Sequence, residues 1–439
     1  MSWFIRFPLL GLVAVILGGC VFFDVKEQQE KLGAFCSLSG TVASEGADDT
    51  PLVVILVRKE GPGDQLEDWS VFDHFVLERS GRWVFGVNVG QYGFAAFEDV
   101  NGNLIYQPGE PFLQVDLDSP ITCKAGDEIR DIELIIPRDG RPRIDGPIDV
   151  AALQTRTVHD QMRTSIGLVT AVGDVVSLSD PRFSPENARN GMWRPFDFLF
   201  EAKPGIYLLE PYDPDKIPVL FVHGVQGTPR NFEYLIDNLD RDIFQPIVYY
   251  YPSGISFAAL GEHLDQTMIK LRRRHGFEKT HVVAHSAGGL VSRAFVFNHR
   301  ESLGAGSIPT LLTIATPWDG HEAAGRGVER APAVVDSWRD LAPGSQFLTE
   351  LFSTGIGAEV VEKDLPDDVT HHLLFAFRRD PGTFGPSDDE TITVDSQLRW
   401  EAQEDAGHRI YGFNETHVGV LKSEEVANLI NDILANGAK

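Results

Sequence analysis

Val282–Leu290 reads VVAHSAGGL, an apolar run that meets a serine between small residues and continues into a second apolar stretch. This pattern fits a strand that turns sharply into a helix, with Ser286 forced outward at the corner and the helix N-terminus behind it. Small neighbours, here Ala284, Ala287 and Gly288, are a steric requirement of such a turn. On both sides of it strand and helix signals alternate. Ile217–Val222, Phe244–Tyr250, Thr280–Val283, Thr310–Ala315, Leu373–Phe377 and Arg409–Phe413 are predicted strands. Phe232–Leu239 and Glu424–Asn436 are predicted helices, and Leu260, Leu264, Met268 and Leu271 line one face of a longer helix at spacings of three and four. Alternation of this kind implies an α/β fold, a mostly parallel sheet with helices on both faces.

A serine has too high a pKa to attack unaided, so it needs a base, and the base needs an acid to fix its tautomer. Of the 13 histidines, His417 in NETHVGVL follows a predicted strand and precedes the closing helix. His285 is the serine's own neighbour, His371 and His372 enter a strand, and His408 competes but lies before the strand. The acid is sought in SDDETITVDSQL, Ser387–Leu398, which offers Asp389 and Asp388.

The corner at Ser286, the Val222-His223-Gly224-Val225 turn after a buried strand and the C-terminal His417 resemble the α/β-hydrolases, among them bacterial lipases and the deacylases that act on GPI-type lipids. The resemblance spans about Ile206 to Asn436. It implies that the backbone amides of Val225 and Ala287 form an oxyanion hole, and that the chain order is nucleophile, acid, base. Aligning Val394 and Ser396 with the lipase segment, where Asp-Gly-x-Val precedes a small-residue strand, puts the acid on Asp389 and Glu390 where the family has glycine. Ala315-Thr316-Pro317-Trp318 and Pro343-Gly344-Ser345, with Phe347, Leu348 and Leu351, echo lipase segments near a lid, so a cap is expected at about 318–370. The implied catalytic set is Ser286, Asp389 and His417, acting on acyl esters of lipid type without cofactor or metal. An acyltransferase of the same fold, or a non-catalytic surface lipoprotein, are the alternatives.

At 439 residues the chain exceeds one ordinary domain. Runs rich in Val, Ile and Phe between Gly, Pro and Asp predict a small all-β domain over 35–138. Its GQYGFAAF segment, Gly90–Phe97, resembles the last strands of transthyretin-like or carboxypeptidase-regulatory-like sandwiches. Asp99, Asn101, Asn103 and Glu110 fall at the first, third, fifth and twelfth places of a calcium loop, but Leu104 stands at the sixth, where such a loop wants glycine; the other reading is a hairpin. Residues 139–205 read as linker and lead-in, and 206–439 as the hydrolase domain.

Residues 1–19 read as a signal peptide, because the apolar run Leu9–Leu17 is far shorter than the roughly 20 residues a span requires. Its end, Leu17-Gly18-Gly19-Cys20, resembles a bacterial lipobox, which implies lipidation at Cys20 and a mature chain tethered by residues 20–34. Val21 in place of Asp fits an outer-membrane destination. Cys36 and Cys123 then remain, a disulfide pair or two buried thiols. The net charge of −26 disfavours nucleic acid as a partner and leaves the anchor to hold the membrane.

Overall fold

The computed structural model describes residues 22–46, 50–61, 68–114, 119–142, 148–150, 169–354, 361–378 and 387–437. The expected signal peptide over 1–19 and the expected lipidation at Cys20 lie outside the described residues.

The β-rich N-terminal stretch folds as two facing sheets. Its strands are β1 (Cys36–Ser44), β2 (Leu52–Lys59), β3 (Trp69–Leu77), β4 (Gly81–Val87), β5 (Gly90–Glu98), β6 (Ile105–Tyr106), β7 (Phe112–Gln114), β8 (Ile121–Cys123), β9 (Glu128–Ile136) and β10 (Ile148–Asp149). One sheet runs β4-β1-β9 and the other β3-β2-β5-β7, with β8 also on β5. Inward-facing residues such as Leu38, Val54, Trp83, Phe85 and Phe94 close one core between them. Cys36 and Cys123 are disulfide-bonded, joining β1 to β8 across 87 residues of chain. In the chain-entropy model a closed loop of that size contributes about 4.6 kcal/mol. The expected linker enters this domain instead of leaving it, since β10 pairs with β6 and Val150 is buried against Leu104.

The second domain is built on an eight-stranded sheet from β11 (Ala171–Val175), β12 (Gly205–Leu208), β13 (Ile217–Val222), β14 (Phe244–Tyr250), β15 (His281–His285) and β16 (Thr310–Ile314), continuing after the hairpin of β17 (Ser353–Thr354) and β18 (Val361–Glu362) with β19 (Thr370–Ala376) and β20 (Ile410–Phe413). The order is β11-β12-β14-β13-β15-β16-β19-β20, parallel throughout except between β12 and β14. This is the α/β-hydrolase fold, with apolar cores on both faces of the sheet as parallel strands require.

Two expected boundaries need correction. Residue 206 falls inside the sheet, in β12, because the lead-in already supplies β11 and Phe198, which packs on the sheet core. The expected tether, 20–34, is helical over residues 22–32, here α1. The other helices are α2 (Pro185–Trp193), α3 (Pro195–Glu201), α4 (Glu233–Asp237), α5 (Phe257–His275), α6 (Ala287–Leu303), α7 (Glu322–Arg330), α8 (Asp336–Leu341), α9 (Gln346–Phe352), α10 (Val394–Gln397), α11 (Trp400–Ala406) and α12 (Glu424–Gly437). Helices α7 to α9 form the insertion between β16 and β19.

Charged contacts dock the sandwich on the back of the sheet domain. Arg273 of α5 pairs with Glu78 (2.9 Å) and Asp99 (3.0 Å). Arg79 donates to the carbonyls of Arg300 and Glu301, placing a cation at the negative C-terminal end of α6.

Candidate active site

Ser286 stands between β15 and α6 with φ +55° and ψ −136°, a conformation that costs a non-glycine residue on the order of 1–3 kcal/mol and holds it at the corner. Close approach of the surrounding backbone explains the glycines. A Cβ on Gly224 would lie 2.7 Å from that of Ser286, and one on Gly288 would lie 2.3 Å from the carbonyl of Val222. Ala284 is a fully buried strand residue within the core beneath α6, so its methyl is accommodated where the family has glycine.

The imidazole of His417 reaches this serine from the loop after β20. Ser286 Oγ–H donates to His417 Nε2 (2.9 Å), and His417 Nδ1–H donates to Asp389 Oδ2 (2.7 Å). Asp389 is fully buried; its Oδ1 accepts the amides of Thr391 (3.0 Å) and Ile392 (2.6 Å). Asp388 instead accepts the amide of Glu390 and does not reach His417. Glu390 occupies the family's glycine position with φ +73°, the left-handed conformation that glycine adopts freely. The expected small-residue strand after it is the short helix α10, because Thr393 caps the amide of Ser396 and starts a helical turn.

On the other side of Ser286, the turn Val222–Val225 leaves β13. Neither the amide of Val225 nor that of Ala287 makes a hydrogen bond among the described residues, so both remain available to an oxyanion. His223 contributes structure: its Nδ1–H donates to the carbonyl of Gly224 (2.8 Å), its ring stacks on Tyr251, and burial lowers its pKa to about 4.

Two residues at the site carried no sequence signal of their role. His285 Nε2–H donates to the carbonyl of His417 (2.7 Å) and so pins the base's backbone. Burial, with the imidazole of His417 alongside, lowers its pKa to about 3 and keeps it neutral. Gln397 donates to Asp389 Oδ2 (3.2 Å) and to the carbonyl of Ala376 (3.0 Å), while its own carbonyl accepts the amide of Ala376. In the sequence His285 is only the serine's neighbour and Gln397 one polar residue of Ser387–Leu398.

The candidate calcium residues lie far from this constellation in the sandwich. Asp99 accepts the amides of Asn103 and Leu104 as well as Arg273, and Glu110 accepts those of Val100 and Gln107. Their oxygens are thus engaged within a hairpin, and Leu104 takes the left-handed turn at φ +59°.

No protein-family model and no curated protein matches the sequence. Among solved structures, similarity extends to Bacillus licheniformis lipase BlEst2 in mature form, with 16% identity and TM-score 0.38 over 53% of this chain and 95% of that one. Aspergillus fumigatus lipase B gives 16% identity and TM-score 0.38 over 53% and 56%. Phospholipase PlaB from Legionella pneumophila gives 16% and 0.32 over 42% and 45%. With identities and scores this low, the fold rests on the chain's own sheet order and on the turn at Ser286.

Proposed function

We propose that this chain is a membrane-anchored serine esterase that hydrolyses acyl esters of lipid type. The observation that carries this reading is the unbroken relay from Asp389 through His417 to Ser286, with contacts of 2.7 and 2.9 Å. His417 Nε2 takes the Ser286 proton as Oγ attacks the acyl carbonyl, and the amides of Val225 and Ala287 hold the resulting oxyanion. His417 then returns the proton to the departing alkoxide, leaving an acyl-enzyme. Water attacks that ester with His417 again as base, the Ser286 Oγ–acyl bond breaks as His417 returns the proton to Oγ, and the free acid leaves. Asp389 stabilises the imidazolium formed in each half-reaction.

Anchoring is inferred from Leu17-Gly18-Gly19-Cys20 and places the protein in a bacterial cell envelope, at the outer membrane. A panel of acyl esters of increasing chain length, assayed with wild type and Ser286→Ala, tests the reading. Expected are a preference for long chains and a loss on the order of a millionfold in kcat for the variant. Activity that survives Ser286→Ala rejects the mechanism, and activity confined to short chains rejects the lipid substrate.

A further inference from the structure

The helix α1 is anchored against the catalytic face. Val25 is buried in one apolar cluster with Met192 of α2 and Val335 before α8, and Val225, whose amide is offered to the oxyanion, packs against that cluster. Gln28 is buried and exchanges two hydrogen bonds with Asp197 of α3, its Nε2–H donating to Oδ2 (3.0 Å) and its Oε1 accepting the Asp197 amide (3.0 Å). Gln29 donates to the carbonyl of Val334 (2.7 Å). The helix thus ties together the lead-in helices, the cap and the oxyanion turn, whereas a tether that only spaced an anchor from a domain would make none of these contacts. On its outer side Phe23 is 77% exposed, the most exposed large hydrophobic residue among those described. Val418, next to the base His417, is exposed as well.

We propose that α1 is a rigid bracket that sets the Ser286 mouth on a lipid surface, with Phe23 entering the boundary between headgroups and acyl chains and the ester drawn from that same surface. This rests on the esterase reading and adds how substrate is presented. The sequence identifies the occupant as a bilayer. The lipobox-like Cys20 would carry the acyl chains of the mature protein, and it lies three residues before Phe23, a reach of at most about 10 Å. Exposed aromatic side chains on a surface helix suit the interfacial zone. The charge of −26 selects a zwitterionic surface over an anionic one.

The test uses the full lipidated chain in phosphatidylcholine vesicles, with a flexible Gly/Ser insert of about ten residues between Val21 and Phe22, long enough to uncouple orientation from anchoring. Phe23→Ser is the second variant. Both are assayed on a water-soluble short-chain ester and on a long-chain ester embedded in the vesicles. Soluble turnover is expected within about twofold of wild type, while vesicle turnover falls about tenfold for the insert and about threefold for Phe23→Ser. Unchanged vesicle turnover in the insert, with soluble turnover intact, overturns the bracket and leaves the esterase standing. If Ser286→Ala turns over either ester as wild type does, the esterase reading fails and the bracket falls with it.

Discussion

Asp99 in the sandwich and Asp389 in the sheet domain are both fully buried, and both lie in loops where the carboxylate accepts two backbone amides and a non-glycine residue adopts positive φ. They differ in the partner that completes them. Asp99 meets Arg273, a guanidinium that stays charged and ends in the contact between domains. Asp389 meets His417, an imidazole that exchanges protons and whose other nitrogen touches Ser286. Local turn chemistry makes the two loops alike; what arrives from a distant part of the chain makes one structural and the other a candidate for catalysis.

Asp389→Asn is the sharpest way to break that contrast. It is expected to lower kcat about 10⁴-fold, because the amide selects the wrong imidazole tautomer and leaves the imidazolium without its anion. Steady-state kinetics together with a thermal melt will show whether the loss is confined to rate.

Acid provides the next largest effect. Burial lowers the pKa of His223, His263 and His281 to about 4 and that of His285 to about 3. These groups stay neutral when folded, whereas unfolding lets each protonate near its ordinary value of 6.5. Their contribution is therefore complete above about pH 6.5 and is lost progressively as pH falls toward 4 and then 3, on the order of several kcal/mol together. Melting temperature followed from pH 8 to 4 is expected to fall below about 6.5, and a flat profile would contradict the neutral buried set.

Asp99→Asn reverses the pattern of Asp389→Asn. Arg273, only 9% exposed, keeps Glu78 but loses its fully buried partner, which predicts a loss of about 1–3 kcal/mol with kcat unchanged. Denaturant unfolding measures the first and the ester assay the second. The smallest expected effect belongs to Gln397→Leu, which withdraws one donor from Asp389. A fall of about tenfold in kcat with KM little changed would mark Gln397 as a positioning residue, and a parallel change in both would mark it as merely structural.

Much of this was legible in the sequence. Strands β13 to β16 are short, mainly apolar runs buried on both faces, and the serine between small residues could only fit a tight corner. What escaped notice had other causes. Strand β11, AVGDV, carries too few apolar residues to signal a strand and gains its place by pairing with β12. Helix α1 is polar on most positions, and its stability comes from Asp197 and Val334, more than 160 residues away in the chain. Val25, Gln28, Gln29 and Leu32 do share helical spacing, a signal that the charges around them obscured. The roles of His285 and Gln397 arise only when the loops after β19 and β20 meet, which no local pattern encodes.

Labelling with a fluorophosphonate, followed by peptide mapping, addresses the central claim directly. The relay through His417 predicts one adduct, on Ser286, that disappears in Ser286→Ala, forms far more slowly in Asp389→Asn and forms at the wild-type rate in Asp99→Asn. Label on another residue, or label that persists without the Ser286 hydroxyl, would contradict it.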